Sequence, residues 1–182
     1  MWDDEAVVYQ IYPFGFCGAQ TTRDALYKSQ NLIKKVSDWI PHIKKLNATC
    51  IVFNSLFESD KHGYDTRDYT YIDARLGSNK EFKKVCKDIH EAGLKIVFDG
   101  VFNHVGRGFW AFKDVLEYQK DSMYTDCFNL NFDRNDSLDD GFDYEGWEGY
   151  TNLVKLNLRR PKVRQALIQD VIKYWIKEFG ID

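Results

Sequence analysis

Two near-continuous apolar runs constrain this chain most: CIVFNSL at residues 50–56 and LKIVF at residues 94–98. Neither run leaves a polar face for water. Such runs suit parallel strands covered on both sides by helices. Parallel neighbours cannot be joined by a tight turn, so each pair needs a crossover of a dozen residues or more. The sequence supplies those crossovers. Residues 25–46 carry Leu32, Val36, Trp39, Ile40, Ile43 and Leu46 at helical spacing, with lysines on the other face. Pro41 lies inside that stretch and predicts a kink or a break. Residues 78–89 begin with SNKE, a capping box, and continue through Phe82, Val85, Cys86 and Ile89 to a stop at Gly93. AVVYQIY at residues 6–12 reads as a further strand. Strand and helix thus alternate, which predicts an α/β fold on a parallel sheet.

The alternation then stops. Between the second strand and the capping box lies a polar, aromatic loop, KHGYDTRDYTYIDARLG. From about Val105 to Asn157 the periodicity is weak, apart from a short helix expected near residues 112–118. Some fifty residues without βα units look like an inserted subdomain rather than a loop. The acidic stretch DRNDSLDDGFDYE within it lacks the Gly and Glu placement of a calcium-binding helix–loop–helix and is expected to be a solvated loop. The pattern resumes at Pro161. One long amphipathic helix is expected through Val163, Ala166, Leu167, Val171, Tyr174, Trp175 and Phe179, ending at Gly180. Ile181 and Asp182 look like the approach to another strand.

Composition narrows the function. Lys+Arg number 25 against 28 Asp+Glu, a net charge of -3, which argues against a broadly basic nucleic-acid binder. No apolar run approaches the roughly 20 residues of a membrane helix. The first residues show no basic segment leading into an apolar one, as a secretory signal would. Cys17, Cys50, Cys86 and Cys127 are widely spaced with no CxxC pair, so neither a metal site nor a disulfide framework is expected. Free thiols suit a reducing compartment, and the expected location is the cytoplasm.

In parallel α/β sheets, ligands bind at the carboxyl ends of the strands. The loop after the second strand carries His62, Gly63, Tyr64, Asp65, Arg67 and Asp68. The third strand is followed by DGVFNH, with Asp99, Asn103 and His104. Carboxylates, amides and an imidazole beside flat rings suit a polyhydroxylated ligand. Sugar hydroxyls need donors and acceptors, and their C–H faces pack on aromatic rings.

Those segments together resemble the α-amylase family of glycoside hydrolases. FESDKHGYDTRDYTYIDARLGS, GLKIVFDGVFNHVG, AVVYQIYPFGF and LVKLNLRRPKVRQAL are similar to family motifs, in the family's order, over nearly the whole chain. VKLN is most similar to the neopullulanase and cyclomaltodextrinase branch. The resemblance implies the N-terminal portion of a (β/α)8 TIM barrel with an inserted domain B. Residues 1–104 would be the first three βα units, 105–157 domain B, and 158–182 the barrel helix before a fourth strand. It also implies roles. Tyr64 would form an aromatic wall under the sugar, and His104 would hydrogen-bond its hydroxyls. Asp99 would hold an active-site arginine, and Asn103 would shape the third-strand loop or, in calcium-dependent members, ligate calcium. Trp110 and Trp147 would be sugar platforms. Lys155 stands where calcium-binding branches carry Asp, which argues against calcium there, and no other cofactor is implied. Val154 and Arg75 replace prolines common in the family.

The resemblance places the nucleophilic Asp after strand four, the acid/base Glu after strand five and a third Asp after strand seven. A retaining glycosidase needs two such carboxyl groups about 5–5.5 Å apart. All three positions would lie beyond Asp182. A complete barrel takes about 250 residues, against 182 here. The expectation is therefore part of a retaining glycosidase acting on α-glucosidic bonds of starch-like oligosaccharides, carrying subsite residues and inactive alone. Open strand edges would favour self-association. The alternatives are a non-catalytic amylase-like binding or chaperone subunit, or an unrelated βα protein with chance motifs.

Overall fold

The computed structural model describes residues 2–20, 22, 30–136 and 138–182. In chain order, β1 (Val8–Ile11) and the short α1 (Pro13–Cys17) precede α2 (Lys35–Lys45) and β2 (Cys50–Phe53). A hairpin of β3 (Phe57–Ser59) and β4 (Thr66–Ile72) follows, then α3 (Asn79–Glu91) and β5 (Lys95–Phe98). β1, β2 and β5 form a parallel sheet in that order, with Ile11 opposite Phe53 and Phe53 opposite Phe98. Asp182 adds to the free edge of β5: its N–H donates to the Ile96 carbonyl at 2.9 Å, and its carboxylate accepts from Lys95 Nζ at 2.7 Å.

The expected helices form, with instructive differences. Ser78 Oγ accepts from the Glu81 N–H at 3.3 Å while Glu81 accepts from the Ser78 N–H at 2.8 Å, so the capping box closes both ways. At the other end the Leu94 N–H reaches the Ile89 carbonyl and the Gly93 N–H the His90 carbonyl. That pairing needs a left-handed residue, and Gly93 supplies it at φ 77°. α2 runs through Pro41 as one helix, so of the expected kink or break the break does not occur. Pro41 is exposed, so water can satisfy the Ser37 carbonyl that loses its helical donor. The part of the expected helix at residues 25–29 lies outside the described residues. The polar loop after β2 is in part strand: β4 pairs antiparallel with β3, Phe57 opposite Ile72 and Ser59 opposite Thr66.

Residues 104–157 build a second, antiparallel layer. It contains β6 (His104–Gly106), α4 (Trp110–Tyr118), β7 (Leu130–Asn131), β8 (Asp143–Tyr144), β9 (Gly146–Trp147) and β10 (Tyr150–Lys155). β10 lies between β6 and β9, with Lys155 opposite His104 and Tyr150 opposite Trp147. The expected boundary at residue 104 therefore falls inside β6. The acidic stretch is not simply solvated. Phe142 is fully buried against Phe112, and Asp140 takes a two-pronged ion pair from Arg107, which holds its carboxyl below the usual range.

The final helix is in three pieces: α5 (Pro161–Ala166), a π-helical segment (Leu167–Ile172) and α6 (Lys173–Phe179). Its buried side chains are Val163, Leu167, Val171, Trp175 and Phe179, always four apart. A regular α-helix advances 100° per residue, so each four-residue step overshoots by about 40°. The wider π turns absorb that drift and keep all five on one face. Trp175 then packs on Phe98 at 5.3 Å and on Phe57 at 5.6 Å, and its indole N–H donates to the Tyr69 carbonyl at 2.6 Å. This aromatic contact fastens the helix to both the sheet and the hairpin.

Candidate functional site

The carboxyl ends of the three parallel strands meet around Tyr64. Gln10, in β1, donates from Nε2 to Asn54 Oδ1 at 3.0 Å. Asn54, just after β2, donates from Nδ2 to the Tyr64 hydroxyl at 2.5 Å. Asp99, just after β5, is anchored by its N–H on the Phe53 carbonyl at 2.8 Å and faces the same hydroxyl. Burial pushes the Tyr64 phenol above its ordinary pKa. The Asn54 donation opposes that shift, and the negative charge of Asp99 adds to it. Tyr64 therefore stays a neutral phenol, its ring fixed by one partner from each neighbouring strand.

The turn that presents Tyr64 is held from below. Gly63 has φ 93°, and a Cβ there would sit 2.7 Å from the Ser55 carbonyl oxygen, so only glycine fits. Its carbonyl accepts from Ser55 Oγ and its N–H donates to Ser59 Oγ. Ser59 in turn accepts from the guanidinium of Arg75 at 3.0 Å. Arg75 is 1% exposed. It binds both oxygens of Asp73 at 2.8 Å, and also the Lys61 carbonyl at 2.7 Å. A buried ion pair thus stands under the His62–Gly63–Tyr64 turn.

His104 joins this floor to the second layer. Its Nε2 lies 3.1 Å from the Tyr64 carbonyl, which can only accept, so Nε2 carries the proton. Nδ1 then accepts from the Asn103 amide at 3.3 Å. Burial lowers the imidazole pKa, and the Tyr64 carbonyl works against that shift. Trp147 stacks on the imidazole with centroids 5.3 Å apart and planes 28° apart, and Tyr150 stacks on Trp147.

These groups line one cavity of about 800 Å³. The structure brings together six of the residues singled out in the sequence: His62, Tyr64, Asp99, Asn103, His104 and Trp147. Trp110 is not among them. It opens α4, packs edge-on against Tyr124 at 4.9 Å, and borders a separate, apolar cleft beside Leu167 and Val171. Trp110 therefore lies apart from the cavity that holds the other six, and its expected role as a sugar platform is not carried by this site. Gln10, Asn54, Tyr150 and Asn152 belong to the site without having been singled out. Gln10 and Asn54 sit in or beside strands one and two, where the rule of carboxyl-terminal sites could have found them.

A calcium ion takes six to eight oxygen ligands. Beside Asn103 the structure offers an imidazole, and Lys155, paired with Glu145, brings an ammonium. Among the described residues no three acidic, histidine or cysteine side chains converge on a metal position. The cavity wall instead combines flat rings, amides and one carboxylate, Asp99, a surface suited to hydroxyl-rich ligands.

The sequence model of the α-amylase catalytic domain matches residues 10–182. Neopullulanase 2 of Thermoactinomyces vulgaris is 34% identical over the whole chain, which covers 33% of that protein. A cyclomaltodextrinase of a Bacillus species is 32% identical, with 35% of it covered. The chain thus spans about a third of the length of these curated relatives. Among solved structures, the cyclic α-maltosyl-(1→6)-maltose hydrolase of Arthrobacter globiformis in complex with its cyclic sugar superposes with a TM-score of 0.84 at 32% identity. All of this chain and 43% of that one are covered. An acarbose-soaked debranching enzyme of Nostoc punctiforme gives 0.84 and 32%, with 42% of it covered. With the matched region running through the parallel strands, the inserted layer and the final helix, the chain belongs to the α-amylase catalytic-domain family and has the fold of the N-terminal portion of its TIM barrel.

Proposed function

We propose that this chain forms the sugar-holding wall of a retaining glycoside hydrolase that acts on α-glucosidic bonds of starch-like oligosaccharides. The carrying observation is the Tyr64 floor, a neutral phenol fixed by Asn54 and Asp99 at the strand ends. A pyranose ring stacks its C–H face on such a ring while its hydroxyls find the amides and carboxylate around it. The relatives named neopullulanase, cyclomaltodextrinase and cyclic α-maltosyl-(1→6)-maltose hydrolase support an α-glucan as the ligand. The inserted layer is part of this reading, starting at His104 rather than after it, with β6 to β10 as the cavity's second wall. No calcium belongs beside Lys155, since an ammonium repels a cation. The four free thiols support a reducing compartment.

Among the described residues lining the cavity, Asp99 is the one carboxylate. Double displacement needs a nucleophile and a separate proton donor, both carboxyl groups. That favours binding without hydrolysis by these 182 residues. The test is a pair of measurements on the chain with maltooligosaccharides: binding by ligand-observed NMR, and release of reducing ends. Binding without turnover is expected. Turnover overturns the non-hydrolytic reading, and absence of binding overturns the sugar-wall reading.

A further inference from the structure

We propose that Tyr150 and Asn152 form an outer glucose subsite, so that the cavity favours longer α-glucans over maltose. The inference rests on reading the cavity as an α-glucan site. It concerns the part of that cavity lined by β10.

Three rings run in succession out of the cavity. His104 is 7% exposed, Trp147 38% and Tyr150 56%. Each plane is tilted less than 30° from the next, with centroids 5.3 Å and then 6.2 Å apart. Trp147 has rings stacked on it from two neighbours, which limits its use as a platform. Tyr150 is the outermost ring and the most open one.

The platform is pre-set by the backbone. Trp147 and Tyr150 are paired across β9 and β10, leaving Glu148 and Gly149 as a two-residue turn. Both have positive φ, 50° and 83°. That is the turn whose twist matches paired strands, and it holds the two rings in register. Little ordering of the ring is then left for a ligand to impose, which helps affinity.

Asn152 supplies the polar half. Asn152 lies two residues beyond Tyr150 in β10 and is exposed like it. Both line the same cavity as Tyr64 and Asp99. A flat ring beside an amide matches a glucose unit, which has an apolar C–H face and a rim of hydroxyls. One α-linked chain can therefore lie with one unit over Tyr64 and a later unit against Tyr150.

The experiment titrates the 182-residue chain with maltose and with maltohexaose, using saturation-transfer NMR for affinity. Wild type is expected to bind maltohexaose more tightly. Tyr150→Ala is expected to weaken maltohexaose by about tenfold, the size of one aromatic contact, and maltose by less than twofold. Tyr150→Phe, which keeps the ring, should retain affinity for both. Asn152→Ala, at an exposed position, should also weaken the longer sugar selectively, and it carries the test if Tyr150→Ala does not fold. Equal losses on both sugars, or none on maltohexaose in either alanine variant, overturn the outer subsite and leave the Tyr64 floor standing. Failure of wild type to bind either sugar overturns both.

Discussion

Replacing Arg75 with methionine removes a charge from under the Tyr64 turn while keeping most of the side chain's volume. Asp73 is then left fully buried without its guanidinium, having lost two 2.8 Å hydrogen bonds. The Lys61 carbonyl and Ser59 Oγ lose donors in the same step. Breaking a buried pair by removing one partner costs roughly 3–5 kcal/mol. For a chain of this length each kcal/mol lowers Tm by about 2–4 °C, so the expected drop is roughly 6–20 °C. Circular-dichroism melts and urea titrations at neutral pH measure it. The double variant Asp73→Asn, Arg75→Met should be less destabilised than the sum of the single variants, because the stranded carboxylate is then gone. A single-variant loss below about 1 kcal/mol, or strict additivity, refutes the claim that this pair is a buried brace.

Two further outcomes follow from the structure. Burial holds the His104 pKa below its ordinary value, so the unfolded chain takes up that proton first as pH falls. The stability it contributes is complete above the unfolded pKa and is lost as pH falls through the folded one. Urea midpoints between roughly pH 7.5 and 5.5 should therefore fall more steeply for wild type than for His104→Gln, and equal slopes refute this. Ser78→Ala removes the capping acceptor of α3 and should cost about 1 kcal/mol, seen as a Tm lower by about 2–4 °C, whereas Ser78→Thr keeps most of it. An unchanged melt in Ser78→Ala would show that packing alone sets that helix end.

The parallel strands and the capped helix were legible because each depends on local chemistry. Continuous apolar runs have nowhere to go but a covered sheet, and SNKE satisfies helix ends within four residues. The break that Pro41 suggested does not occur because a proline's effect depends on which face of the helix it occupies, and exposure is a tertiary fact. The π-helical segment had a readable signal, the strict four-residue spacing from Val163 to Phe179, which a helix-period reading blurs into ordinary amphipathicity. β4 was hidden by its polar residues: Asp68 and Arg67 look like loop chemistry until Phe57 and Ser59 are seen paired across from Ile72 and Thr66. In the site, Tyr64, Asp99 and His104 stood out through their motifs. Gln10 and Asn54 did not, since an amide becomes functional only through what it touches. Trp110 and Trp147 were indistinguishable as letters, and only the packing of α4 and of β9 sends one away from the cavity and the other into it.

His104 has a mechanical consequence. Its backbone belongs to the antiparallel layer, paired with Lys155, while its ring is tied to the carbonyl of Tyr64 in the strand-two turn. One residue is thus fixed in both walls of the cavity at once. If the antiparallel layer shifts, it must either carry the Tyr64 turn along or give up that hydrogen bond. The imidazole is one of the links that gear the two walls together, and a push on the Trp147–Tyr150 hairpin reaches the Tyr64 turn through it.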